Sequence, residues 1–187
     1  MAIGRLHRAK DAAYGNAWKK RGEVIGVLAN LARKVDRLEA LAEGAPATYD
    51  ESIFDTAVDL FVYGLKYQTL LADIDPTVAA TLFADPGVVP PYSDGPLGFE
   101  FLLDHVVELR ADQVPSVARA TAVVADTFAG VESYFSPAAA VPEPMDRLAR
   151  ARAVTAAAWA LIAALTREAP PLYRDFITAC REASRAG

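Results

Sequence analysis

The stretch that decides the fold is IFDTAVDLFVYGLK, residues 53–66. Plotted at 100° per residue, its apolar side chains cover half of a helix circumference or more, which is wider than the apolar stripe of a helix with one solvent-facing side. We therefore predict a helix that packs on two sides. The apolar positions are Ile53, Phe54, Ala57, Val58, Leu60, Phe61, Val62 and Leu65.

The same helical period runs through most of the chain, and the alternating patterns that are typical of hairpins are absent. The sequence predicts an all-α, multi-helix bundle, with helices near residues 4–14, 19–43, 50–72, 75–83, 99–112, 115–134, 144–167 and 170–184. Asp50 is the predicted N-cap of the third helix, and Asp75 with Pro76 is predicted to start the fourth. We expect three parts: a helical half over 1–83, a connection rich in Pro and Gly over 84–98, and an Ala-rich helical half over 99–187 packed on the first.

The composition excludes several classes of protein. Lys plus Arg number 19 against 24 Asp plus Glu, and this net charge of -5 argues against a chain built to neutralise nucleic acid. A single cysteine, Cys180, excludes a disulfide framework, and two histidines argue against a His-rich metal site. No stretch has the roughly 20 apolar residues that span a bilayer, and residues 1–20 lack the apolar core of a secretory signal. We expect a cytoplasmic protein with no membrane partner.

One flank of the first long helix is suited to a cleft. Glu23, Asn30, Lys34 and Arg37 line up beside its apolar face, where polar side chains can point between two helices. Asp36 falls on the other flank and is therefore a poorer candidate.

Two carboxylates lie one turn apart on the second long helix. Asp55 and Asp59 repel each other at this spacing, so a divalent cation, Lys66 or solvent has to offset them. Oxygen ligands at i and i+4 suit Mg²⁺, and Glu23 of the neighbouring helix completes a candidate site for Mg²⁺ or Mn²⁺. The alternative is a solvated acidic face with no ligand.

Basic and aromatic residues precede the first long helix. Lys19, Lys20 and Arg21 are placed to bind phosphate at a helix start, and Tyr14 and Trp18 offer flat surfaces on which a base can stack. The alternatives are a solvated run of charges and two core contacts.

Two further residues are candidates for chemistry on their type alone. His105 stands beside Asp104 and is a candidate general base, although an isolated histidine in a helix more often only bonds its neighbours. Cys180 has no evident His partner and is most simply a small buried residue.

Taken together, three stretches resemble the all-α nucleoside triphosphate pyrophosphatases of the MazG and dimeric dUTPase kind, nearest their phage-associated nucleotide modification associated branch. The resemblance covers residues 10–72 and rests on 14–23 (YGNAWKKRGE), 32–39 (ARKVDRLE), and Asp55 with Asp59, Leu60 and Tyr63. It implies a MazG-like helical core, often a homodimer, that binds Mg²⁺ through carboxylates on adjacent helices and cleaves the α–β linkage of a nucleotide.

Carried over residue by residue, the resemblance makes Glu23, Asp55 and Asp59 both metal ligands and catalytic residues. It makes Lys34 and Arg37 the basic residues suited to phosphate. Together with Trp18, Lys20, Arg21 and Asn30 from the patterns above, these are the expected nucleotide contacts. Two departures weaken the metal site: the family has a second glutamate three residues after the first, where this chain has Gly26, and it spaces the second acid pair by three, not four.

Three functions stay open at this point. The first is a metal-dependent pyrophosphohydrolase that converts a nucleoside or deoxynucleoside triphosphate into the monophosphate and pyrophosphate. The second is a nucleotide-binding module on the same fold that does not cleave its ligand. The third is a helical protein-interaction module, for which the residues of the first half matter only through packing.

Overall fold

The structure, a computed structural model, describes residues 2–43, 52–84, 87–135 and 142–186. This part of the chain holds eight α-helices and no strand, which confirms the all-α prediction. The helices are α1 (Ala2–Tyr14), α2 (Ala29–Ala42), α3 (Ile53–Ile74), α4 (Pro76–Leu82), α5 (Leu97–Asp104), α6 (Val117–Glu132), α7 (Pro144–Glu168) and α8 (Pro170–Ala186).

Helix α3 lies at the centre of the molecule. It packs against α2, α4, α5, α7 and α8, and α7 in turn packs against α6 and α8. The side chains of Phe54, Phe61, Tyr67 and Leu71 are fully buried around α3. This burial confirms that the helix packs on more than one side, as its wide apolar surface predicted.

Polar caps fix where two of the helices begin. Asp75 caps α4 by accepting hydrogen bonds from the backbone of Thr77 (2.8 Å) and Val78 (3.0 Å), as predicted. The N-cap of α3 is Ser52, so the prediction of an N-cap at Asp50 is wrong; Asp50 itself lies outside the described residues.

The segment before α2 differs from the predicted helix over 19–43. A 3₁₀ turn covers Gly15–Trp18, a π-helical turn covers Glu23–Leu28, and Gly22 between them has a φ of 79°. The reason is a close approach of two backbones: a Cβ on Gly26 would lie 2.7 Å from the Trp18 carbonyl oxygen. Glycines at 22 and 26 thus let the chain fold back on itself before α2 begins.

Helix α5 ends at Asp104, so the predicted helix over 99–112 is too long. The chain after it is held by side chains of α7. Trp159 Nε1 donates to the Val107 carbonyl at 3.1 Å, and Arg167 donates to the carbonyls of Val114 and Pro115 at 2.8 and 2.9 Å. These contacts satisfy backbone groups that a helix would otherwise pair, and the local sequence pattern gives no sign of them.

The connection over 84–98 is irregular where the structure describes it, up to α5 at Leu97. Asp73 at the end of α3 anchors it, because its carboxylate accepts hydrogen bonds from the backbone N–H groups of Tyr92 (2.6 Å) and Ser93 (3.0 Å). The second helical half then packs on the first through α7 on α3, α8 on α1 and α6 on α2.

Within the described residues, one helix is long and apolar enough to cross a membrane by length and composition alone, namely α7. More than half of its most apolar stretch is buried inside the bundle, and a core helix of a soluble protein passes the same test. This feature is therefore weak evidence for a membrane.

Gly64 sets the distance between α3 and α7. A Cβ at this position would lie 2.4 Å from Thr155 Oγ1 and 3.3 Å from its Cβ. Gly64→Ala is expected to destabilise the protein by about 1–3 kcal/mol, because it overpacks a closely fitted helix pair. The matched control is Gly130→Ala in α6, where the nearest atom is 3.6 Å away; it is expected to be neutral or stabilising by up to about 1 kcal/mol. Urea unfolding of both variants measures this, and an equal effect at the two glycines would contradict it.

Candidate functional site

Asp59 is bound by lysines from two other helices. Its Oδ1 lies 3.0 Å from Lys10 Nζ of α1, and its Oδ2 lies 3.0 Å from Lys34 Nζ of α2. Burial acts to raise the pKa of Asp59, but the two ammonium groups outweigh it and leave the pKa below its ordinary value. The lysines thus offset the repulsion that the sequence predicted between Asp59 and Asp55.

Asp55 works as a capping residue of α3. Its Oδ2 accepts from the Ser52 backbone at 3.0 Å and from Ser52 Oγ at 2.7 Å, while Ser52 Oγ accepts from the Asp55 backbone. This reciprocal pattern is a capping box, which satisfies N–H groups at the start of the helix.

Glu23 joins the start of α2 to α3 and α7. Its two carboxylate oxygens accept hydrogen bonds from Tyr67 Oη and Arg147 Nη1. Tyr67 is fully buried, and burial followed by the bond to Glu23 raises the pKa of its phenol. The Arg147 guanidinium is largely buried as well, so Glu23 is the counter-charge of an internal arginine.

A divalent cation does not fit these three acids as a set. Each carboxylate already has protein partners, and the described residues include no group of three or more His, Cys, Asp or Glu that could hold a metal. The close approach at Gly26 also leaves no room for a further carboxylate at this position, since any larger side chain there meets the Trp18 carbonyl.

Several predicted residues nevertheless line one cleft of about 520 Å³ between α1, the 3₁₀ turn, α2 and α3. Its volume is within the range of small-molecule sites. From the sequence-based candidates it brings together Tyr14, Trp18, Asn30 and Asp59. Four further residues line the cleft that the sequence did not predict as ligand-binding residues: His7, Lys10, Tyr63 and Lys66.

Lys66 is the most distinctive group in this cleft. Its Nζ lies 5.1 Å from the centre of the Trp18 ring, a cation–π contact. Burial lowers the pKa of Lys66; Asp11 works against that shift and Lys10 adds to it. No carboxylate lies within ion-pair distance of Lys66 among the described residues. A half-buried ammonium group without a counter-ion favours an incoming anion.

The two predicted stacking residues differ in exposure. Tyr14 stands at the rim with 72% of its surface exposed, whereas Trp18 is only 9% exposed and has Lys66 over its ring. Tyr14 is therefore the accessible flat surface, and Trp18 is a wall of the cleft.

His7 lines the cleft although only 2% of it is exposed. Its ring stacks on Phe99 with a centroid distance of 3.7 Å, and neither ring nitrogen has a hydrogen-bond partner among the described residues. Burial first, and then the charges of Lys66 and Lys10, lower the pKa of His7 to about 3. At neutral pH the ring therefore carries no charge and presents one donor and one acceptor.

The remaining basic candidates lie elsewhere. Lys19 Nζ binds Ser93 Oγ (2.5 Å) and the carboxylate of Asp94, so it holds the connection rather than facing the cleft. Lys20 and Arg21 are exposed on the surface, and Arg37 is half-buried on α2; none of the three lines the cleft.

Asn30, Asp36, His105 and Cys180 are each explained locally. Asn30 Nδ2 donates to the Gly26 carbonyl at 2.6 Å, and Asp36 is exposed. His105 is exposed and its Nδ1 bonds the Phe101 carbonyl at 2.7 Å. Cys180 is buried, as expected, and burial raises the pKa of its thiol.

A signal for the missed residues was present in the sequence. His7, Lys10 and Tyr14 are spaced by three and four residues, which places them on one face of α1. That α1 faces the middle of α3 across the cleft is a tertiary fact that the spacing does not contain.

Comparison with known proteins adds no assignment. No protein-family model, no curated protein and no solved structure matches this chain.

The partners of Glu23 give a stability test of its role. Glu23→Ala leaves Arg147 buried without its counter-charge and is expected to cost about 3 kcal/mol, whereas Asp55→Ala loses a helix cap and is expected to cost about 1 kcal/mol. Urea unfolding measures both. The Glu23→Ala/Arg147→Met double variant is expected to regain part of the loss, because both charges are then gone. A Glu23→Ala protein as stable as the parent would show that this ion pair is not structural.

Proposed function

We propose that this chain binds a nucleotide in the cleft between α1 and α3, and that binding needs no divalent cation. The observation that carries the proposal is Lys66, a half-buried ammonium group that faces the cleft and lacks a carboxylate partner in the described part of the chain. A phosphate beside Lys66 supplies the missing counter-charge through charge-assisted hydrogen bonds.

The charges around the cleft support an anionic ligand. Three lysines, Lys10, Lys34 and Lys66, lie around Asp59 and outnumber the two nearby carboxylates, Asp59 and Asp11, in a chain whose net charge is -5. Phosphate binds such a cluster through its several acceptor oxygens. The excess also explains why a carboxylate at position 59 does not repel the ligand, since both of its oxygens are already paired.

The uncharged groups support a ligand with an aromatic, hydrogen-bonding part. Tyr14 offers an exposed ring at the rim for stacking. His7 keeps a neutral ring with unpartnered nitrogens at the buried end, which suits a base or sugar group better than a phosphate. A nucleotide combines the required features in one molecule: an anion, a flat ring and neutral donors and acceptors.

The hydrolytic reaction implied by the family resemblance is the less supported alternative. It needs a metal at Glu23, Asp55 and Asp59, and these carboxylates are engaged by an arginine, a helix cap and two lysines. No observation specifically favours the third possibility, a protein-interaction module. A homodimer remains a prediction from the resemblance.

The test is nucleotide binding with and without metal. Thermal shift and calorimetric titration with each common NTP and dNTP in EDTA are expected to show saturable binding, because a ligand that binds the native state raises its stability. Lys66→Met is expected to weaken binding about tenfold or more, as for loss of a hydrogen bond to a charged group. Lys20→Met removes an exposed lysine outside the cleft and is expected to change little.

Two results would contradict the proposal. The first is no stabilisation by any nucleotide in the panel. The second is turnover to monophosphate and pyrophosphate that requires Mg²⁺ and is lost in both Asp55→Asn and Asp59→Asn, which would establish the hydrolase instead.

A further inference from the structure

A second cavity lies on the other side of α3, between α3, α5 and α7. It has a volume of about 760 Å³, larger than the cleft, and none of its lining residues is shared with it. Three aromatic residues, Phe61, Phe101 and Trp159, are among its walls, together with aliphatic side chains such as Leu65 and Leu102. Apolar walls of this kind bind the ring systems of small molecules.

A single buried amide supplies polarity at the base of this cavity. Gln68 is only 4% exposed, and its Nε2 donates to Thr155 Oγ1 (3.0 Å) and to the Gly64 carbonyl (3.4 Å). Thr155 Oγ1 itself donates to the Ala151 carbonyl at 2.6 Å, which fixes Gln68 as the donor of their shared bond. Gln68 Oε1 is then an acceptor without a partner among the described residues, in a side chain that lines the cavity. This oxygen is not among the fully buried polar atoms, so it is open to the cavity and can accept a hydrogen bond from a ligand donor.

The open side of the cavity carries positive charge. Arg152 lines it and is also solvent-exposed, so its guanidinium lies at the mouth rather than at the base. No carboxylate pairs with Arg152 within the described ranges. The cavity therefore has an acceptor inside, aromatic walls and a cation at its opening.

We propose that this cavity is a binding site for a small aromatic anion whose ring system carries an N–H or O–H donor. The ring packs against the side of the Phe61–Trp159 pair, whose own rings are in contact (centroids 5.2 Å apart). The donor bonds Gln68 Oε1, and the carboxylate or sulfonate pairs with Arg152. This inference is independent of the nucleotide proposal, because it uses a different cavity and different residues.

Two fluorescent probes that differ only in charge test the site. 1-Anilinonaphthalene-8-sulfonate has two aromatic units, one N–H and a sulfonate, and N-phenyl-1-naphthylamine is the same molecule without the sulfonate. Both are expected to bind the full chain at one saturable site. Arg152→Gln is expected to weaken the sulfonate probe about three- to tenfold and to leave the uncharged probe unchanged. Gln68→Met is expected to weaken both probes.

A pair of exposed alanines on α7 locates the site. Ala156 lines the cavity and Ala153 does not, and both are exposed, so a phenylalanine at either position is compatible with folding. Ala156→Phe is expected to abolish binding of both probes, and Ala153→Phe to leave it intact, with melting temperatures checked for each. Equal binding by the two variants, no saturable binding, or an equal effect of Arg152→Gln on both probes would overturn the proposal.

Discussion

The carboxylate of Asp59 holds α1 and α2 against α3, because Lys10 and Lys34 each bind one of its oxygens. This shared ion pair decides what the neighbouring surface can do. Both oxygens of Asp59 are bound by lysines and are therefore not open to a metal. Lys10 lies in the same cleft as Lys66, which has no carboxylate within ion-pair distance in the described part of the chain. The sequence pattern at Asp55 and Asp59 is acidic, whereas the cleft beside Asp59 is lined by two lysines, Lys10 and Lys66.

Helix α3 separates two environments that differ in chemistry. One side carries Asp59 and Lys66 into the charged cleft, and the other carries Phe61 and Gln68 into the larger apolar cavity. A helix that is apolar around most of its circumference has to be covered by neighbours on several sides, and gaps between those neighbours become cavities. The wide apolar surface of residues 53–66 therefore explains the central position of α3 and, with it, the placement of both proposed sites.

The sequence predicted the fold class and most of the helices, since these follow from periodicity and from local caps such as Asp75. It failed where a distant contact overrides the local pattern. The chain approaches itself closely at Gly26 and Trp18, so the first turns of the predicted helix do not form as α-helix. Trp159 and Arg167 bind backbone carbonyls of the segment after α5, where the predicted helix does not continue.

The candidate site was predicted in part for the same reason. Asn30 and Asp59 line the cleft because each lies on a helix flank that the wheel identifies correctly. Glu23 does not line the cleft; it pairs with Arg147, which lies 124 residues further along the chain. Lys10 was missed because its partner Asp59 is 49 residues away. Spacing along one helix cannot reveal such pairs.

Glu23 and Asp59 pair with cations of the chain and Asp55 caps α3, so these three acids do not form a metal site. Titration of Mn²⁺ into the purified protein, followed by electron paramagnetic resonance of the free ion, tests this conclusion most directly. We expect no saturable Mn²⁺ site. A single saturable site that is lost in both Asp55→Asn and Asp59→Asn would contradict it.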